Sequence, residues 1–193
     1  MTISSNGSGY AVACDSNGNV IALCVDHSNN NMITAKINSS GALQWQRKLQ
    51  GTSADYVCCD SSDNIYVLGD SGGYGYFAKY NSSGAIQFQR SIRQGSSNTY
   101  FKGITHNGNG SVVIAAYGDT GNKPALTYKL PDDGSKTGTY GDLAYAVSTL
   151  TEAVSTGSYG DMSGSVGSIS PFNETNTSYT ESAATLTSTT TDV

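Results

Sequence analysis

The side chains best suited to chemistry are those of Asp15-x-Asn17-x-Asn19 and Asp60-x-x-Asp63-Asn64, whose carboxylate and amide oxygens are the hard ligands that calcium takes. Neither run carries a Glu at the twelfth position. Asp, Asn and Gly at this spacing are also what a tight turn requires, so both runs are read as turns. His27 and His106 are the only two imidazoles. A metal-dependent hydrolase needs several His, Asp or Glu side chains converging on one point, and neither His has a partner that recurs. Gly69-Asp70-Ser71-Gly72-Gly73 resembles the neighbourhood of a catalytic serine, but it falls between two strand-like segments and is read as their connection. The four cysteines, Cys14, Cys24, Cys58 and Cys59, fit neither a paired zinc motif nor a redox dithiol, and are expected to be free thiols buried as small hydrophobes. Arg47 follows Trp45 by two residues and Arg90 follows Phe88 in the same way. Each pair is either a cation and an aromatic face for a glycan, or a packing device between structural units with the guanidinium bonded to a turn. Its recurrence favours packing. No residue is therefore assigned a catalytic, cofactor-binding or metal-binding role, and the chain is expected not to be an enzyme and to carry no cofactor.

These residues sit on a repeat. The stretch Lys36-Ile37-Asn38-Ser39-Ser40-Gly41-Ala42-Leu43-Gln44-Trp45-Gln46-Arg47 is identical at nine of twelve positions to Lys79-Tyr80-Asn81-Ser82-Ser83-Gly84-Ala85-Ile86-Gln87-Phe88-Gln89-Arg90, with apolar exchanges at the rest. Cys14-Asp15-Ser16-Asn17-Gly18-Asn19-Val20 likewise matches Cys59-Asp60-Ser61-Ser62-Asp63-Asn64-Ile65, about one repeat length further on. A weaker third copy has Asn107-Gly108-Asn109-Gly110 in the first turn and Lys129-Leu130-Pro131-Asp132-Asp133-Gly134 in the second. Asn38-Ser39-Ser40 and Asn81-Ser82-Ser83 also spell the glycosylation sequon, but they occupy the repeat's own turn. Between turns lie short segments rich in β-branched and aromatic residues, which predict four strands per copy. In the first copy they fall near Tyr10–Cys14, Val20–Val25, Met32–Ile37 and Leu43–Leu49. The last alternates Leu43, Trp45, Arg47 and Leu49 on one face with Gln44, Gln46 and Lys48 on the other, the period of a half-buried strand.

Four antiparallel strands per unit is the size of a propeller blade. An apolar strand running into Asp-Ser, then a second apolar strand, then Lys-Ile/Tyr-Asn-Ser-Ser-Gly and an amphipathic strand, resembles the β-propeller repeat of bacterial surface and virion proteins. It is most similar to the propeller-bearing structural proteins of tailed phages of marine bacteria and cyanobacteria. The resemblance implies an all-β fold of three tandem four-stranded antiparallel blades over residues 9–140, preceded by a short segment, 1–8. It implies a non-enzymatic virion structural protein: a tail fibre, spike or head appendage serving assembly or host attachment. A bacterial surface binding module is the alternative, and a propeller hydrolase or lactonase a remoter one.

Composition agrees with all-β structure, since 23 of 193 residues are Gly, 13 are Tyr and only 13% are charged. All ten Lys and Arg lie in residues 1–140 against nine acids, while 141–193 hold six acids and no base, which disfavours a nucleic-acid partner. The N-terminus has neither the basic nor the apolar region of an export signal and no apolar run is long enough to span a bilayer, so the chain is expected to be made in a host cytoplasm and assembled into a virion. In residues 141–193, 21 of 53 are Ser or Thr. Leu143, Val147, Leu150 and Val154 have helical spacing behind Asp142, but the β-branched and hydroxyl residues among them favour extended structure. This segment is read as an extended Ser/Thr-rich assembly arm that docks on another subunit, because three blades leave the first and last sheets with open faces. Partners are expected to be other copies of the chain, a trimer above all, other virion proteins and a host-surface glycan or protein. The less regular runs Asn29-Asn30-Asn31 and Gly72-Gly73-Tyr74-Gly75-Tyr76 are where recognition would reside, although no binding residue is assigned.

Overall fold

A computed structural model describes residues 6–96, 98–119, 124–148, 150 and 152–154. They are all-β, with fourteen strands in antiparallel pairs and, among the described residues, no helix. The first copy of the repeat gives β1 (Gly7–Cys14), β2 (Val20–Asp26), β3 (Asn31–Ile37) and β4 (Leu43–Gln50), and the second gives β5 (Tyr56–Cys59), β6 (Ile65–Ser71), β7 (Tyr74–Tyr80) and β8 (Ile86–Gln94). The third gives β9 (Thr99–His106), β10 (Ser111–Gly118) and β11 (Ala125–Pro131). β12 (Gly138–Tyr140), β13 (Leu143–Val147) and β14 (Glu152–Val154) follow.

The turns form because their side chains replace backbone partners. Asp15 Oδ1 accepts the N–H groups of Asn17 and Asn19 at 3.0 and 2.8 Å, and Asp60 Oδ1 accepts those of Ser62 and Asn64, both at 2.9 Å. Asn38 and Asn81 do the same for Ser40/Ala42 and Ser83/Ala85. Where the first copy uses Gly18 at φ 74°, the second places Asp63 at φ 60°, a left-handed conformation that Asp tolerates better than most residues.

Three sheets result: sheet one in the order β1-β2-β3-β4-β14, sheet two β5-β6-β7-β8-β13-β12, and sheet three β9-β10-β11. The first two copies contribute the four strands expected of each. The third contributes three, because its fourth segment leaves. Gly134-Ser135-Lys136-Thr137-Gly138 lacks the apolar alternation of the matching Gly84-Ala85-Ile86-Gln87-Phe88, and Lys136 turns left-handed at φ 58°. β12 instead forms a hairpin with β13 through Gly141 (φ 61°), and β13 pairs with β8, Tyr145 opposite Ile92. β14 then adds to β4 with Ala153 opposite Lys48. The start of the expected arm is thus extended, not helical, and it completes sheets one and two of its own chain; residues 155–193 lie outside the described residues.

The sheets pack face to face, with β5 in contact with both β1 and β9. Ile21, Leu23, Met32 and Leu49 of sheet one meet Val57, Ile65, Ala78 and Tyr80 of sheet two. The other face of sheet two, with Tyr66, Leu68, Phe77 and Phe88, meets Phe101, Val112, Ile114 and Tyr128 of sheet three. Sheet two is apolar on both faces for that reason, and its alternation is apolar against apolar.

Candidate functional site

The polar groups that gather most closely lie at the seam between sheets two and three: Asp60 after β5, Tyr66 on β6, Lys79 on β7, His106 at the end of β9 and Asp132 after β11. Ligand atoms of Asp60, His106 and Asp132 all lie within 4.8 Å of one another. Each of the three already has a hydrogen-bond partner. Asp60 Oδ2 accepts Asn64 Nδ2 at 2.8 Å and the Tyr66 hydroxyl at 3.0 Å. Gly108 N–H donates to His106 Nδ1 at 3.1 Å, so the ring proton sits on Nε2 and is given to Asp132 Oδ2 at 2.9 Å. Lys79 donates to the Asp132 carbonyl at 3.1 Å and lies over the Tyr66 ring, which stacks on His106 at 5.5 Å. Burial, and then Asp60, hold the Tyr66 phenol protonated; burial would raise Asp60, but the hydrogen bonds it accepts hold it below its usual value. A cation bound by Asp60 Oδ2 and His106 Nε2 would displace the phenol and the imidazole proton that now occupy them. The arrangement is two hydrogen-bonded groups, Asp60 with Tyr66 and Asn64 on sheet two and His106 with Asp132 on sheet three, fastened to each other by the Tyr66–His106 stack and by Lys79.

At the seam between sheets one and two, Lys36 crosses to the Ser82 carbonyl at 3.3 Å and is paired within its own sheet. Lys36 Nζ lies 2.8 Å from Asp15 Oδ2, with the Asp15 side chain fully buried. Burial pushes Asp15 up, but its bonds from Lys36 and Asn19 prevail and hold it at about 2. Asp63 reaches back across this seam to the backbone N–H and hydroxyl of Ser16 and to Asn17 Nδ2, at 2.8–3.0 Å. Both candidate calcium runs are therefore turns whose carboxylates serve the turn and the seam.

Arg47 and Arg90 are packing devices. Arg47 stacks on Trp45 at 5.5 Å and donates through Nε to the Gly84 carbonyl of the next repeat at 2.6 Å. Arg90 stacks on Phe88 at 5.2 Å and donates to the Gly134 carbonyl at 2.7 Å. The glycines are required: a Cβ on Gly84 would lie 2.7 Å from the indole of Trp45, and one on Gly134 2.6 Å from Phe88.

Of the other candidates, His27 is exposed and meets Ser8 Oγ at 2.9 Å. Gly69-x-Ser71-x-Gly73 has the spacing of a nucleophile elbow, but an elbow is a strand-to-helix turn. Here Gly72 and Gly73, at φ 61° and 86°, form a hairpin turn across which Ser71 pairs with Tyr74. The run Tyr74-Gly75-Tyr76 opens strand β7, which leaves Gly72-Gly73 as the turn, and Asn31 begins β3, which leaves Asn29-Asn30 in the four-residue connection 27–30. Tyr74 is exposed under the Arg93 guanidinium, 4.5 Å above its ring, and helps line a shallow recess with Ser91, Val147 and Leu150. All four cysteines are free, as expected. None is buried as expected: Cys24, Cys58 and Cys59 are half-buried and Cys14 is exposed, because it sits on the outer side of an end sheet, whereas its repeat partner Cys59 faces a neighbour.

Sequence reasoning missed the pairing of His106 with Asp132. The available signal was departure from the repeat, since His106 stands where the second copy has Cys59 and Asp132 where it has Ser82.

Compared with models of known protein families and with curated proteins, the chain matches none.

Proposed function

We propose that this chain is a non-enzymatic structural protein of a phage particle, built of propeller-type blades, which assembles with other copies of itself and other virion proteins in a tail fibre, spike or head appendage. The observation that carries the scaffold reading is the use made of its recurring polar side chains. Asp15, Asp60, Asp63, Arg47 and Arg90 are the groups a catalytic or binding repeat would present to a ligand, and all are bonded within turns or between sheets. The phage assignment rests on the resemblance of the repeat and on the Ser/Thr-rich, base-free composition of residues 141–193. Exposed Tyr74 with Arg93, beside the recess, supplies a surface suited to host attachment.

Mass spectrometry tests the assignment. The polypeptide is expected in purified, nuclease-treated phage particles at a copy number typical of an appendage. Its recovery from bacterial envelopes and never from particles overturns the virion reading in favour of a surface binding module.

A further inference from the structure

The third repeat departs from the other two at its first turn. In the first two copies Asp15 and Asp60 stand there, each with Oδ1 accepting two backbone N–H groups of the turn. The third copy has Asn107, whose amide Oδ1 accepts the matching N–H groups of Asn109 and Ser111 at 2.9 and 3.2 Å. Glycine follows it. An Asn-Gly pair can react with itself: the backbone nitrogen of the glycine attacks Cγ of the asparagine, closing a cyclic succinimide and releasing ammonia. The attack is intramolecular, so proximity is already supplied by the chain. It is slow because the peptide nitrogen must give up its proton and because negative charge gathers on Oδ1. Order in a folded chain ordinarily slows it further, by fixing atoms where they do not help.

At Asn107-Gly108 the bonds fall on the atoms whose charge changes. Gly108 N–H donates to His106 Nδ1 at 3.1 Å, so an imidazole lone pair already faces the proton that must leave. Asp132 Oδ2 lies 2.9 Å from His106 Nε2, where it balances the charge of the imidazolium that forms. The two N–H groups on Oδ1 stand where the oxyanion develops. Nδ2, the leaving group, has no hydrogen bond among the described residues, and Asn107, Gly108 and Asn109 are exposed to water. The chain carries its own controls. Asn17-Gly18 is the same dipeptide in the first copy, but Gly18 N–H is given to the Asp15 carbonyl at 3.1 Å and Asn17 Nδ2 is held by Asp63 at 3.0 Å. Asn109-Gly110 adjoins the site, yet among the described residues no imidazole or carboxylate bonds to the Gly110 nitrogen.

We propose that Asn107 is a self-modification site, which its own turn converts to aspartate or isoaspartate. His106 Nδ1 takes the proton of Gly108 N as that nitrogen bonds to Asn107 Cγ, and Oδ1 carries the negative charge between the two N–H groups. The imidazolium then returns the proton to Nδ2, the Cγ–Nδ2 bond breaks and ammonia leaves. One water molecule opens the succinimide. Addition at the former side-chain carbonyl leaves aspartate at position 107, and addition at the main-chain carbonyl leaves isoaspartate, with an extra methylene in the backbone. Aspartate is what the first two repeats place at this position, so the turn keeps both bonds to Oδ1 and the third repeat acquires the carboxylate that the others are made with. Either product adds one negative charge beside His106, at the seam between sheets two and three. This inference does not depend on the virion assignment.

The test is incubation of the full chain at neutral pH, with peptide mass spectrometry following conversion of amide to carboxyl separately at Asn17, Asn107 and Asn109. In the folded chain Asn107 is expected to react roughly tenfold or more faster than Asn17 and Asn109, the lower range of what a positioned base contributes. In the urea-unfolded chain the three rates should converge, because the base and the oxyanion donors are supplied by the fold. His106→Gln can still accept the Gly108 N–H but offers no such base, and should bring Asn107 in the folded chain down to the rate of Asn17 without changing Asn17. An Asn107 rate in the folded parent chain no higher than that of Asn17, or no higher than its own rate in the unfolded chain, overturns the proposal. So does a folded His106→Gln chain in which Asn107 reacts as fast as before. Should that variant fail to fold, the comparison of folded and unfolded parent chain decides alone.

Discussion

Gly84→Ala and Gly41→Ala form a matched pair, because the two glycines share a turn sequence, a hydrogen-bond pattern and a backbone angle but not a neighbour. Placing an L-residue at a left-handed φ costs ~1–2 kcal/mol at either position. At Gly41, where nothing among the described residues lies within 4 Å of the new methyl, that is the effect expected. At Gly84 the new methyl would lie 2.7, 2.9 and 3.0 Å from three indole carbons of Trp45, an overlap that neither partner absorbs freely. The indole is held by its bond to the Ser82 carbonyl and by the Arg47 guanidinium above it, so relief requires moving a fastened group, a cost of ~1–3 kcal/mol. Gly84→Ala should therefore be destabilising by ~2–5 kcal/mol and Gly41→Ala by ~1–2 kcal/mol, and the first should melt ~3–8 °C below the second. Urea unfolding followed through Trp45, the only tryptophan, measures both variants and reports whether the indole environment has changed in the folded state. Combining Gly84→Ala with Trp45→Ala should cost less than the two single losses added, since the methyl then has room. Equal destabilisation by Gly41→Ala and Gly84→Ala would refute the clamp, whatever the absolute values.

Lys36→Met removes the partner of a buried carboxylate and should cost ~3 kcal/mol in chemical denaturation, most of it recovered in Lys36→Met with Asp15→Asn, because the penalty is the uncompensated charge. The Asp15 carboxyl is held at about 2, so its contribution is full above its unfolded value near 4 and is lost as the pH falls through 2; Asp15→Asn should flatten acid unfolding in that window. Asp55 shifts oppositely, to about 6, by burial first and then by Asp70, with Lys102 opposing. The folded state binds its proton more tightly than the unfolded state does, so stability falls as pH rises from about 4 to 6, and Asp55→Asn should stabilise the chain by ~1–3 kcal/mol at pH 7 and by nothing at pH 3. Thiol labelling of the native chain should modify Cys14 rapidly and Cys58 and Cys59 slowly, their thiols being pushed to about 12 by burial first, then by each other's charge for Cys58 and by Asp15 for Cys59, while the denatured, unreduced chain should titrate four thiols.

The first two repeats were legible because their turns are written in side chains. Asp15, Asn38, Asp60 and Asn81 each satisfy two backbone N–H groups of their own turn, a local event that leaves a local signature. The strands between them needed only alternation to be placed. The fate of the third repeat's last segment had no local signature. Residues 143–147 extend whichever edge they reach, and that they reach β8 rather than β11 depends on Lys136 and Gly138 breaking the strand that would have led to sheet three. The helical spacing of Leu143, Val147, Leu150 and Val154 was equally uninformative: Val147 ends 64% exposed and Leu150 packs against the first core cluster, so no common face is buried. Likewise, Cys14 and Cys59 occupy one repeat position yet differ in exposure, because exposure belongs to the neighbouring sheet and not to the sequence around the residue.

Loss of one strand from the third repeat has a consequence for the whole stack. In a linear array each repeat touches only its neighbours, and the array can fray from either end. Here the segment released from sheet three runs back against the order of the repeats, pairing first with β8 of sheet two and then with β4 of sheet one. Those two strands would otherwise present rows of unpaired N–H and C=O groups, the edges through which sheets join other chains. The same return buries Tyr145 to 1% exposure among side chains of sheets two and three. Opening the seam at sheet three therefore also loosens the strand that covers sheet two, and the first repeat is tied through β14 to residues that follow the third. The chain has closed two lateral edges with its own backbone, that of β8 by β13 and that of β4 by β14, and so ties the first and second repeats to residues that follow the third.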